Sequence, residues 1–203
     1  MRRARFMVAL VVALVVLITA MPVGLAGKSV MPEAQKPAAK PVVTVMVVNN
    51  AKTTFDADLT ERITGHITGR LAGYYGFVPG ETSLVRLARA GIEDVAAADS
   101  RDVARVLRGM GVDCAVYVEL APFVRKEKWT VFTHGMEMTA VLPVKIIGAK
   151  SGRSLYTGKV VEKAAGGTFV LLGLGNKPVA EEAVDQALVK LDRVMAEFLP
   201  LQP

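Results

Sequence analysis

Val42–Val48 reads VVTVMVV, seven apolar or β-branched residues without a charge or an apolar–polar alternation. A run of this kind is the pattern of a strand covered on both faces, because a half-exposed strand would show a polar residue at every second position. Asn49-Asn50 break the run. Leu59, Ile63, Ile67 and Leu71 then recur at four-residue spacing, which predicts a helix over 57–72 with one apolar stripe. Asp56 is a candidate N-cap and Gly73 can close the C-terminus. A doubly covered strand followed directly by an amphipathic helix is the start of a layered fold of sheet and helices.

Working toward the C-terminus, Tyr74–Val78 predicts a short strand that stops at Pro79-Gly80. Ser83–Ala97 holds helical material interrupted near Gly91. Ser83 and Ser100 are read as helix caps. Val103, Val106, Leu107 and Met110 form the inward side of a short helix ending at Gly111. Cys114–Phe123 (CAVYVELAPF) alternates, with Cys114, Val116, Val118 and Leu120 on one face and Tyr117 and Glu119 on the other. Thr130–Ile147 predicts a long strand, Lys150–Arg153 a hairpin turn, and Ser154–Lys163 the returning strand. Ala164–Gly175 is a glycine-rich connection. Asn176 and Pro178 open a last helix whose apolar face carries Val184, Ala187, Leu188, Leu191, Met195 and Phe198, with Pro200 ending it. The order β-α-β-α-β-β-β-α predicts an α+β fold, one mixed sheet packed against helices.

Working toward the N-terminus, Gly27–Pro41 is rich in Pro, Ala and Lys and lacks apolar periodicity, so 27–41 is a linker. Ahead of it, Arg2, Arg3 and Arg5 precede the apolar run Phe6–Met21, followed by Pro22, Gly24 and Ala26. That arrangement predicts an export signal over 1–26, cleaved after Ala26 or kept as an uncleaved anchor. The remainder, a single domain over 42–199 with a tail at 200–203, then works in the periplasm or another extracytoplasmic space.

The whole chain has 203 residues, 52% hydrophobic and 22% charged, in the range of one globular domain. Its formal charge of +6 falls to +3 without residues 1–26, too small an excess to point to nucleic acid. The single Cys114 excludes a disulfide framework. On a strand face shared with Val116 and Val118, it is a buried thiol and not a nucleophile. Ser29, Ser83, Ser100, Ser151 and Ser154 stand in no G-x-S-x-G motif. His66 and His134 belong to no metal-ligand motif, and Pro178 occupies the last glycine position of a would-be dinucleotide fingerprint at Gly173. No cofactor and no enzymatic activity are expected.

Three stretches carry a family resemblance. They are VVTVMVVNN (42–50), RDVARVLRGMGV running into DCAVYVELAPF (101–123), and the hairpin VKIIGAKSGRSLYTGKVVEKA (144–164) ahead of a C-terminal amphipathic helix. Over about 42–199 the chain resembles the CsgG/LpoB-like group of periplasmic envelope proteins, with the N-terminal domain of TolB as a more distant relation. It departs from the lipoprotein members in having no lipid-attachment cysteine. It also lacks a pair of long amphipathic hairpins, so channel formation is not implied. The resemblance implies an accessory or scaffold role in the cell envelope, without an active site to carry over.

Two groups of residues are candidate contact surfaces. Phe123, Arg125, Lys126, Lys128 and the only tryptophan, Trp129, combine aromatic and basic side chains in an expected loop between strands. Arg62, His66 and Arg70 make a basic stripe on the first helix, a solvated face or a site for an anionic partner. Gly65, Gly69 and Gly73 line the same helix and are read as a ridge for close packing, or as a seam between two copies. Phe169–Leu172 is an apolar run that is either buried or in contact with membrane or partner. The expected function is an exported accessory or scaffold protein that binds another envelope protein or a cell-wall component. It would act as a monomer or weak homo-oligomer, with membrane contact through the N-terminal segment. The alternatives are a periplasmic small-ligand or anion-binding module using the basic stripe, and an enzyme with an unrecognised site.

Overall fold

The structure is a computed structural model and describes residues 39–129, 133–169 and 176–199. The export segment, most of the linker, the run 170–172 and the tail 200–203 lie outside the described residues. Ten elements follow in order: β1 (Val42–Asn49), α1 (Asp56–Leu71), β2 (Gly76–Val78), α2 (Gly80–Arg89), α3 (Ser100–Arg108), β3 (Cys114–Leu120), β4 (Val124–Trp129), β5 (Thr133–Gly148), β6 (Arg153–Phe169) and α4 (Asn176–Phe198). β1 lies between β2 and β3 and runs parallel to both. β3, β4 and β6 all pair antiparallel with β5. This is one mixed six-stranded sheet with helices packed on it, the α+β class expected from the sequence.

Helices cover both faces of β1 and β3, which explains the unbroken apolar run at Val42–Val48. On one face Val43, Val45, Val116 and Val118 pack with Leu59, Ile63, Ile67 and Leu71 of α1 and with Val184, Leu188 and Leu191 of α4. On the other, Met46, Ala115, Tyr117 and Ile147 pack with Leu87 of α2 and Val103 and Leu107 of α3. Each fully buried aliphatic side chain contributes about 1.5–3 kcal/mol relative to exposure, so this double layer holds the fold. Thr44 is completely buried within it and is satisfied by the hydroxyl of Ser83 at 2.8 Å.

Several local expectations are corrected. Asp56 begins α1 but does not cap it: its carboxylate accepts from the Thr53 N–H (2.8 Å) and hydroxyl (2.6 Å), and Phe55 holds the cap position. Asp99, one residue before Ser100, caps α3 by accepting from the Arg101 N–H at 2.7 Å. Ser83 lies inside α2 and does not cap it: its hydroxyl meets that of Thr44 at 2.8 Å and donates back to the Pro79 carbonyl at 3.4 Å. The helical material after Pro79 is two helices, α2 and α3, so the observed order is β-α-β-α-α-β-β-β-β-α. Ala164–Phe169 continues β6 and is not a connection. Gly111 (φ +75°) and Gly152 (φ +69°) do occupy left-handed turns that favour glycine. A Cβ at Gly65, Gly69 or Gly73 would meet no atom within 4 Å, so the expected intramolecular ridge faces open space.

The largest difference is at Arg125–Trp129, which is strand β4 and not a loop. Val118 pairs with Val144 and Val124 with Thr139, so six steps along β3–β4 match five along β5. Ala121 still donates to the Val141 carbonyl at 3.0 Å, which puts the extra residue between 121 and 124. Pro122, lacking an N–H, stands in this bulge. One extra residue reverses which side chains face which layer.

Candidate functional site

The bulge decides how the residues of β4 are displayed. Even-numbered residues of β3 face the layer of α1 and α4. Beyond the bulge it is Arg125 and Glu127 that share a face with Met138 and Met136, with Trp129 next in the same alternation. Val124 and Lys126 share the opposite face with Thr139 and Glu137. The basic and aromatic residues that are adjacent in sequence are thus divided between two faces of one strand. Phe123 packs half-buried against the core.

On the first face Arg125 pairs with Glu127, and the Trp129 indole N–H donates to the same carboxylate at 3.3 Å. Trp129 is 63% exposed and Val124 51% exposed. On the second face Lys126 stands opposite Glu137, which is also 3.5 Å from the ammonium of Lys163. Exposed Lys159 and Val161 continue this face on β6. Helix α4 packs on β5 and β6 and α1 on β1, while β4's main neighbour is β5 alone. Among the described residues no strand pairs with the outer edge of β4.

β4 also stands far from where the chain enters the domain. Val43 pairs with Cys114 at one end of the sheet, and β1 finishes at Asn49 opposite Leu120. From Cys114 to Trp129 the chain runs 16 residues, at most roughly 50 Å at about 3.3 Å each. β4 and the adjoining parts of β5 and β6 therefore form an extension of the sheet beyond β1.

The basic stripe has a different fate. The Arg62 guanidinium reaches both carboxylate oxygens of Asp185 (2.9 and 3.0 Å) and Glu181 (3.4 Å). His66 Nε2 lies 2.9 Å from Asp192, and Arg70 lies 3.4 Å from the same carboxylate. The stripe is one side of an ion-pair seam between α1 and α4. The hydrogen bond to Asp185 is the main cause that holds the Arg62 pKa above its ordinary value. Each such pair contributes little on a wet surface, about 0–1 kcal/mol. Their consequence for binding is larger, because acids of α4 already occupy the positions an external anion would take.

Two polar features on the α2–α3 side were not singled out in the sequence. Lys145 is 94% buried, and its ammonium donates to the carbonyls of Val95 (3.2 Å), Ala96 (3.2 Å) and Ala98 (2.6 Å). Three donors meet three acceptors, clamping the segment between α2 and α3, while burial lowers the lysine's pKa. The signal was a lone lysine inside the apolar run VLPVKIIG. Nearby, a groove of about 330 Å³ is lined by Asn50, Asp94, Tyr117 and Glu119 among others. Asn50 donates to Glu119 at 2.8 Å. Burial, with Glu119 and Asp94 adding to it, pushes the Tyr117 hydroxyl up to about 12. No three His, Cys, Asp or Glu side chains among the described residues converge on a common point for a metal. Cys114 is buried, and burial drives its thiol up to about 12, the reverse of what a nucleophile needs.

No family model matches the chain, and no curated protein matches it. Among solved structures it is similar to a hypothetical protein of Chlamydia trachomatis (12% identity, TM-score 0.48, covering 78% of this chain and 99% of that one). It is similar also to lipoprotein GNA1162 of Neisseria meningitidis (11%, 0.42, 75% and 99%). A third similar structure is the C-terminal domain of LpoB from Escherichia coli (17%, 0.34, 64% and 88%). The group named from sequence is represented among these similar structures by LpoB. No helix among the described residues is long and apolar enough to cross a membrane.

Proposed function

We propose that the chain is an exported, non-catalytic accessory protein of the cell envelope that binds another envelope component through the β4 end of its sheet. The observation that carries this reading is the extension itself. A strand whose outer edge is paired by no described strand bears a tryptophan 63% exposed, at the end of the sheet away from the Val43–Cys114 pair where the chain enters the domain. A large exposed aromatic next to basic residues suits a contact patch, since the ring supplies buried area and the charges supply steering and orientation.

The test places a photo-crosslinking amino acid at position 124, 51% exposed on β4, in the full-length protein in intact cells. A discrete crosslinked envelope species is expected, lost in Trp129→Ala. Absence of any such species, with the protein exported and folded, would refute the proposal. A reporter fused after residue 41 is expected to be active outside the cytoplasm, and cytoplasmic retention would remove the premise.

A further inference from the structure

We infer that β4 accepts an extended, acidic segment of its partner as a further strand of the sheet, with the lysine-bearing face next to it selecting carboxylates. This rests on the reading of the β4 end as the contact surface and adds the chemistry of the partner.

Three observations lead there. In an antiparallel strand, residues alternate between turning their N–H and C=O toward one neighbour and toward the other. All six residues of β4 are in register with β5, so about half of its backbone groups point to the outer edge, and no described strand meets them. Within Val124–Trp129 there is no proline and no bulge to spoil a further pairing; Pro122 lies just before it. An incoming strand would therefore find an unbroken six-residue template.

The charge beside that template is mainly positive. Lys126 shares a face with Lys163 of β6, and the described acid on that face of β5, Glu137, stands opposite Lys126 and lies 3.5 Å from the Lys163 ammonium. A guest strand with a carboxylate on this face would meet the Lys126 ammonium. On the other face it would lie beside Arg125 and Glu127, paired to each other, and beside the exposed ring of Trp129. Strand alternation then sets the guest's pattern: acidic residues on one side and apolar residues on the other. Lysines on an edge also deter indiscriminate strand addition, so the same residues that reject basic or neutral edges favour an acidic one.

The probes are two synthetic octapeptides, one alternating Glu and Val and one alternating Lys and Val, added to the full chain in mild detergent. Amide hydrogen exchange is read at Val124–Trp129. The Glu-Val peptide is expected to slow alternate β4 amides at least tenfold, with binding weakened by salt, while the Lys-Val peptide has no effect. Lys126→Glu/Lys128→Glu is expected to weaken binding at least tenfold with the melting temperature unchanged. Lys126→Gln, a milder change, serves if the double variant does not fold. Equal protection by both peptides, protection elsewhere than β4, or no protection would overturn the inference. A crosslinked species in cells that survives Lys126→Glu/Lys128→Glu would overturn it too, while leaving the proposed function standing; loss of the species in wild type would remove both.

Discussion

At β1 and β3 the sheet lies between helices on both faces, whereas at β4 it runs past the layer that α2 and α3 supply. The sequences differ accordingly: VVTVMVVN for β1 against VRKEKW for β4. The first half turns nearly every side chain into core, and its residue types follow from packing. The second half keeps regular backbone pairing and exposes its described side chains, so they can be charged and aromatic. Stability and contact chemistry are thereby assigned to opposite ends of one continuous sheet, and substitutions can tell the two ends apart.

The widest separation is expected from truncation. Leu107→Ala, fully buried between α3 and the sheet, should cost about 2–5 kcal/mol in urea unfolding. Val124→Ala, on the open end, should stay within about 0.5 kcal/mol. Equal losses would show that something packs on β4 in the free protein.

Alkali should also act on the covered half. Cys114 and Tyr117, on opposite faces of β3, both have folded-state pKa values raised to about 12 from ordinary values of 9.0 and 10.0. Both are neutral acids when protonated, so their contribution is fully present below pH 9 and is lost as pH climbs toward 12. The urea midpoint is expected to fall across that window, and Cys114→Ala should flatten the part beginning near pH 9. A midpoint independent of pH from 9 to 12 would contradict the burial of these groups.

A smaller effect of opposite sign is expected on the outer side of α1. A Cβ at Gly69 meets nothing within 4 Å, so Gly69→Ala should raise stability by about 0.5–1 kcal/mol through helix propensity. Destabilisation would mean that the glycine face is occupied in solution. Smallest of all, Trp129→Ala should change stability by no more than about 0.5 kcal/mol, since the ring is largely exposed. A loss of several kcal/mol by thermal melting would make it a core residue.

Much of this molecule was legible in its sequence because the signals were local. The uninterrupted run at Val42–Val48, the four-residue spacing of Leu59, Ile63, Ile67 and Leu71, and the Lys150–Arg153 turn each specify an element from within itself. Together they determined a mixed sheet packed against helices. The residues of the candidate surface were also visible, as types: an aromatic among lysines stands out in any context. Their arrangement was not visible. VRKEKW has no apolar alternation, because a strand without a covering layer needs none, and only its pairing with β5 makes it a strand. One extra residue near Pro122 sends Arg125 and Trp129 to one face and Lys126 to the other, a parity that depends on pairing with β5. Likewise, Arg62, His66 and Arg70 make a basic stripe until α4 brings Glu181, Asp185 and Asp192 against it from more than a hundred residues away. Periodicity reports which face of an element is apolar; what meets that face, and whether a charge is already paired, is decided only when the elements pack.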